Sequence, residues 1–164
     1  MTPIRSKKTH LLLRDDLSRE IDEYISRLEN KLLYLQKIES VLKVFLISLK
    51  TGKSPDHSGF FAETGHYMTE VCAADYEIGQ KIDRICRILS IKPHKLKTKP
   101  QLLGSKAPEI AEIENSILSA TESSASINDE IIQLLEKEKA ECGKNADDLK
   151  RIIQLNQIIK LPRD

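Results

Sequence analysis

The chain has 164 residues, 40% of them hydrophobic and 31% charged, a balance that permits one folded domain and excludes wholesale disorder. Aromatic residues make up only 4% and tryptophan is absent, so a core must be built from leucine and isoleucine, as in long helices. The net charge is only +1, but two segments are strongly basic: residues 1–14 carry +4 and residues 91–108 carry +5, and neither contains an acidic residue.

The first predicted element is a long helix over about residues 15–50. An apolar stripe with alternating steps of four and three places its side chains on one helical face, interrupted only by Lys31. This stripe predicts a partner helix, because so much apolar surface is not stable in water. Gly52 and Pro55 are expected to end the helix. The stripe comprises Leu17, Ile21, Tyr24, Leu28, Leu35, Ile38, Leu42, Phe45 and Leu49.

A second helix is predicted over about residues 58–90, with Gly65 and Gly79 inside it. An internal glycine indicates either close approach of another helix or a kink. Residues 91–108 form a basic linker in which three prolines and Gly104 prevent a continuous helix. The linker therefore either crosses the bundle or is mobile. Its charge suits either a solvated segment or docking on an acidic surface, with nucleic acid the weaker option.

A third helix is predicted over about residues 109–161, with a possible break near residue 143. Small residues occupy its middle, over residues 119–126, and apolar residues nearly vanish over residues 136–148. We favour one continuous helix, because residues 136–141 are strong helix formers. Asn128 is expected at the edge of the apolar stripe. Asn156 follows Leu149 by seven residues, and we favour an exposed position near a frayed end over a buried one that sets the register.

The sequence contains none of the motifs that mark a catalytic, cofactor-binding or metal-binding site, so we expect no enzyme, no cofactor and no small-molecule substrate. His66 with Glu63 and Glu70 is read as a solvated helix face rather than a metal site. Three cysteines without a close pair fit a reducing compartment and are interpreted as small buried apolar groups. No apolar run approaches the length of a membrane span, so a cytoplasmic protein is expected.

The fold class expected from these patterns is all-α: an elongated antiparallel bundle or coiled-coil hairpin of three, possibly four, long helices in a single domain. The layout over about residues 20–160 resembles the flagellar export chaperones of the FlgN type. The resemblance lies in the Leu-Lys-Thr-Gly turn at residues 49–52 and in Ile127-Asn128 within the C-terminal helix.

The resemblance implies a chaperone of bacterial flagellum biogenesis that binds hook–filament junction proteins and delivers them to the export apparatus. Its client would be a helical protein segment captured by an apolar C-terminal helix. The main alternative is a structural coiled-coil subunit of a homo- or hetero-oligomer. A third class is an adaptor that docks on nucleic acid or membrane through residues 1–14 and 91–108. The expected partner-binding residues are Ile127, Asn128, Ile131, Leu134, Leu135, Leu149, Ile152 and Ile153.

Overall fold

The computed structural model describes the backbone of residues 7–53, 56–142 and 146–160, and the side chains of residues 14–53, 56–137 and 149–159. All regular structure in these ranges is helical, which confirms the all-α fold class. A 3-10 segment, Pro100–Lys106, lies between the third and fourth α-helices. The α-helices are α1 (Lys7–Lys50), α2 (His57–Leu89), α3 (Pro93–Thr98), α4 (Ala107–Cys142) and α5 (Ala146–Lys160).

Helices α1 and α2 pack against each other in opposite directions along the stripe predicted for α1. Near the end of α1, Phe45 stacks on Phe60 at the start of α2, with ring centroids 4.1 Å apart. Near the start of α1, Glu20 accepts a hydrogen bond from Lys81 of α2 at 3.1 Å. Seven of the nine predicted stripe residues are buried, and Leu17 and Leu49 pack against them at the two ends.

The ends of α1 and α2 follow local capping chemistry. Helix α1 extends further toward the N-terminus than predicted, since it begins at Lys7. It ends as expected before Gly52, which has a positive φ of 72°, the left-handed conformation that glycine adopts without strain; Pro55 lies outside the described residues. Asp56 caps α2 by accepting a hydrogen bond from the Gly59 amide at 3.0 Å.

Neither internal glycine of α2 is needed for a close approach of helices. A Cβ atom added at Gly65 or at Gly79 would meet nothing within 4 Å. The interpretation that these positions admit a neighbouring backbone is therefore wrong.

The basic linker is a folded connector rather than a chain without structure. Helix α3 and the 3-10 segment cover most of it, and Gly104 breaks the second of these with a positive φ of 69°. Leu96 and Leu103 are buried in the core cluster that contains Ile21 and Ile85. Two apolar anchors thus hold the connector against one end of the bundle, which explains how a lysine-rich segment becomes ordered.

The C-terminal third consists of two helices, so the preference for one continuous helix is wrong. Helix α4 runs in the same direction as α1, with Tyr24 contacting Glu114 near one end and Lys50 contacting Glu130 further along. Helix α5 packs against α4, and Leu149 and Ile152 enter the core cluster that contains Phe45. Folding back buries an apolar stripe that a continuous helix would leave in water.

Candidate protein-binding surfaces

The structure brings most of the predicted partner-binding residues together, but it covers them with the chain's own helices. Five side chains of the predicted set are buried where α4 meets α5 and the rest of the core. These buried residues are Asn128, Ile131, Leu135, Leu149 and Ile152. In this conformation they form part of the core and offer no free surface to a partner.

Three members of the predicted set reach the surface. Ile127 and Leu134 of α4 are half-buried, and Ile153 of α5 is 36% exposed. Any partner that binds the described conformation through the predicted residues must use these three.

A polar layer lies inside the contact between α4 and α5. The Asn128 side-chain amide donates to the Ile152 carbonyl at 3.2 Å, and the Asn156 amide donates to the Asp129 carboxylate at 2.8 Å. Both asparagines are buried, so the expectations of an edge position for Asn128 and an exposed position for Asn156 are wrong. Their placement at facing positions on two helices orients α5 on α4, as buried asparagines do in coiled coils.

This polar layer is incompletely satisfied among the described residues. The side-chain oxygens of Ser124, Asn128 and Asn156 are buried and have no hydrogen-bond partner there. A buried polar atom that lacks a partner costs on the order of 1–3 kcal/mol. The contact between α4 and α5 is therefore less favourable than a fully apolar contact of the same area.

An open cleft of about 700 Å³ separates α1 from the first half of α4. Small side chains line its α4 side, and carboxylates project from both walls, at Glu39 of α1 and Glu112 of α4. The sequence indicated this region only as a stretch of small residues that either admits a neighbouring backbone or packs weakly. The lining residues are Gln36, Glu39, Pro108, Ala111, Glu112, Asn115, Ser116, Ser119, Ala120 and Ser123.

The α4 face of this cleft continues toward two of the predicted residues. Ser116, Ala120, Ser123 and Ile127 follow one another at steps of four, three and four, and Leu134 lies seven residues further. This spacing places all five on one face of α4. Beyond Ser123, the last lining residue on α4, the same face therefore continues with aliphatic side chains.

Exposed aliphatic side chains lie on the outer face of α1. Val44 and Ile47 are 65% and 60% exposed, and Leu33 is also exposed. With 3.6 residues per turn, they point away from the buried Leu42. Leu33 is one helical turn from Gln36 on the cleft wall, so this face adjoins the cleft. Sequence reasoning missed it because the stronger stripe on the opposite face dominated and because the polar Ser40 interrupts the heptad-like spacing of Leu33, Val44 and Ile47.

Two polar contacts join α1 to α4 in addition to the apolar core that the two helices share. The Tyr24 hydroxyl donates to Glu114 at 3.4 Å. Burial and, secondarily, the Glu114 charge and hydrogen bond raise the pKa of Tyr24 far above its ordinary value. Lys50 pairs with Glu130 at 3.1 Å. These contacts hold the two helices beside the open cleft.

The described side chains offer little else on which chemistry could be built. Within the described residues, no group of histidine, cysteine or carboxylate side chains could hold a metal ion. Cys86 is buried, and burial with the nearby Asp83 charge raises the pKa of its thiol. Cys72 is exposed, so the interpretation of it as a buried group is wrong; the Cys142 side chain lies outside the description. In the same part of the chain, no helix is long and apolar enough to span a membrane.

No protein-family model, no curated protein and no solved structure matches this chain.

Proposed function

We propose that this protein binds a helical segment of a protein partner in the cleft between α1 and α4. The open cleft of about 700 Å³ carries this proposal. Its small side chains leave room for another helix to approach closely, and Ile127 and Ile47 supply aliphatic contacts near it. Recognition of an amphipathic helix requires this combination of an open groove and spaced apolar positions. The Glu112 carboxylate favours a partner helix with basic residues beside its apolar face, whereas the Glu39 carboxylate is paired with Lys43 at 2.9 Å.

The resemblance to FlgN-type chaperones provides a more specific form of the proposal. In this form the protein is a cytoplasmic export chaperone, and its partner is the helical end of a hook–filament junction protein. Masking such an end would prevent early assembly of the partner. The cleft supports this form as a place where a client helix fits, and Ile127 and Leu134 continue its α4 face beyond the lining residues.

Binding of a purified hook–filament junction protein, measured by titration calorimetry, tests the proposal. Ile47→Ser is expected to weaken binding about 10-fold, because burying one aliphatic side chain contributes roughly 1.5–3 kcal/mol. Tyr76→Ser is the control, since Tyr76 is 70% exposed, against 60% for Ile47, and lies on α2, which contributes no lining residue to the cleft. Equal effects of the two changes contradict the cleft, and no binding by the wild-type protein contradicts the chaperone assignment.

A second pair of variants tests whether α5 contributes to capture, as the sequence suggested. Ile153 and Ile158 are exposed to nearly the same extent, 36% and 38%, and only Ile153 belongs to the predicted binding set. If α5 takes part, Ile153→Ser weakens binding and Ile158→Ser does not. Equal affinities for both variants restrict the site to α1 and α4.

The alternative is a structural coiled-coil subunit, favoured by the outer face of α1. Leu33, Val44 and Ile47 lie at coiled-coil spacing and are exposed, so two copies could pair through them. Light scattering after gel filtration separates the two functions. A concentration-independent monomer supports the binding protein, whereas a stable dimer that Val44→Glu dissociates supports the structural subunit.

A further inference from the structure

One end of the molecule concentrates positive charge in a way that the proposed cleft does not use. Between residues 84 and 108 the chain has seven basic residues and no acidic residue. They lie at the C-terminal end of α2 and in residues 92–106, which include α3 and the 3-10 segment. The basic residues are Arg84, Arg87, Lys92, Lys95, Lys97, Lys99 and Lys106. We call these residues, together with Leu102, the basic end.

The backbone of the basic end is ordered, because two buried leucine side chains hold it against the core. Leu96 and Leu103 are buried in the core cluster, while every lysine of α3 and the 3-10 segment is exposed. Lys95 lies within α3, and Lys92 and Lys99 flank that helix as its cap residues; all three side chains are exposed. Carboxylates border this surface at two places: Arg84 lies 3.9 Å from Glu20, and Lys106 lies 3.7 Å from Glu109.

The chemistry of the basic end favours a lipid surface over the other acidic partners. Protein interfaces are enriched in aromatic residues and arginine and depleted in lysine, whereas five of the seven charges are lysines. Binding of single-stranded nucleic acid relies on aromatic side chains that stack on bases, and residues 84–108 contain no phenylalanine, tyrosine or tryptophan. Clusters of four to eight basic residues are typical of segments that bind anionic lipid head groups.

Leu102 gives the basic end an apolar contact as well. Its side chain is 37% exposed in the middle of the 3-10 segment, between Lys99 and Lys106. An aliphatic side chain among lysines can enter the boundary between head groups and acyl chains while the ammonium groups stay at the head groups. We propose that the basic end docks the protein peripherally on a bilayer that contains anionic phospholipid.

Cosedimentation of the full chain with vesicles tests this docking. Vesicles of phosphatidylcholine mixed with phosphatidylglycerol should bind the protein, and vesicles of phosphatidylcholine alone should not. Binding should fall steeply as salt is raised, because exposed charges are screened. Comparable binding to both kinds of vesicle, or binding insensitive to salt, overturns the proposal.

Charge reversal locates the surface. The variant Lys92→Glu/Lys95→Glu/Lys99→Glu should lower the partition coefficient at least about 100-fold. The control Lys53→Glu/Lys137→Glu/Lys150→Glu makes the same charge change on exposed lysines of other segments and should bind nearly as wild type. Circular dichroism verifies that both variants keep their helical content. Equal losses in the two variants show a nonspecific charge effect and overturn the assignment to the basic end.

Two further measurements test the apolar contact of Leu102 and compare lipid with nucleic acid as the binding partner. Leu102→Ser should weaken vesicle binding several-fold and leave its salt dependence unchanged. Duplex DNA and single-stranded RNA, tested in the same buffer, should bind more weakly than the anionic vesicles. Tighter binding to either nucleic acid overturns the lipid assignment. None of these measurements involves the cleft, so the result is independent of the proposed function.

Discussion

Lys31 and Asp75 form an ion pair of 2.7 Å between α1 and α2, and both side chains are largely buried. Lys31 is the residue that interrupts the apolar stripe of α1. Lys31 therefore contacts a carboxylate on the facing helix rather than solvent. A largely buried charged contact between two long apolar faces penalises every register that separates the two residues.

This pair should contribute measurably to the register and stability of the two helices. Lys31→Ala is expected to lower the free energy of unfolding by about 1–3 kcal/mol, between the values for exposed and fully buried pairs. Urea unfolding of the two single variants and the double variant measures the coupling energy between Lys31 and Asp75. The exposed pair of Lys43 with Glu39, at 2.9 Å, is the control cycle, with an expected coupling of about 0.5 kcal/mol or less. Equal coupling in both cycles contradicts a special role for Lys31.

Gly65 and Gly79 of α2 should be replaceable with a gain in stability. Gly65→Ala and Gly79→Ala are each expected to raise the free energy of unfolding by up to ~1 kcal/mol, because alanine restricts the unfolded chain and favours a helix. The structure leaves space for both methyl groups. Gly52→Ala is the contrasting variant and should destabilise, since Gly52 has a positive φ. A loss of stability at Gly65 or Gly79 on thermal unfolding would reveal a requirement for flexibility there.

Asn128 should contribute more to the orientation of α5 than to stability. Asn128→Leu is expected to leave the free energy of unfolding unchanged or slightly higher, because it removes a buried oxygen that has no partner among the described residues. Asn128→Asp should lower it by more than about 2 kcal/mol at neutral pH, because a buried charge replaces the amide.

The controls for Asn128 are the same two substitutions at Asn115, which is exposed on the same helix. Each should change stability by less than about 0.5 kcal/mol in urea unfolding. If Asn128→Leu destabilises by several kcal/mol, the hydrogen bond to the Ile152 carbonyl outweighs the cost of the buried oxygen.

Stability should decline in alkali through Tyr24. Burial and the Glu114 carboxylate raise the pKa of Tyr24 in the folded state, whereas a tyrosine of the unfolded chain ionises near pH ~10. The folded state therefore holds the proton more tightly, and the associated stability is present below pH ~10 and lost as pH rises above it. Urea unfolding across this range should show a shallower decline for Tyr24→Phe than for wild type. Tyr76→Phe, at a tyrosine that is 70% exposed, should follow the wild-type curve.

Local patterns in the sequence were sufficient to predict the helical architecture and some of the helix boundaries. The stripe through Leu28, Ile38 and Phe45 predicts a helix with one buried face, because a hydrophobic period near 3.6 residues places these side chains on one side of a helix. Gly52 marks the end of α1 because its backbone conformation is unfavourable for other residues. These conclusions depend on neighbours in sequence, and the structure confirms them.

The positions of the polar residues depended on the tertiary structure. Nothing local indicates that Lys31 faces Asp75, or that Asn128 lies beneath Ile152, because each contact joins segments whose register is decided by the packing of whole helices. The packing of α5 against α4 has the same origin: residues 136–141 are helical within α4, as their propensity predicts, but the burial of Leu149 and Ile152 depends on core residues distant in sequence. The cleft between α1 and α4 likewise exists only where two distant segments meet and α5 does not reach. Helical periodicity is encoded within one segment, whereas the burial or exposure of a residue depends on the other segments that pack against it.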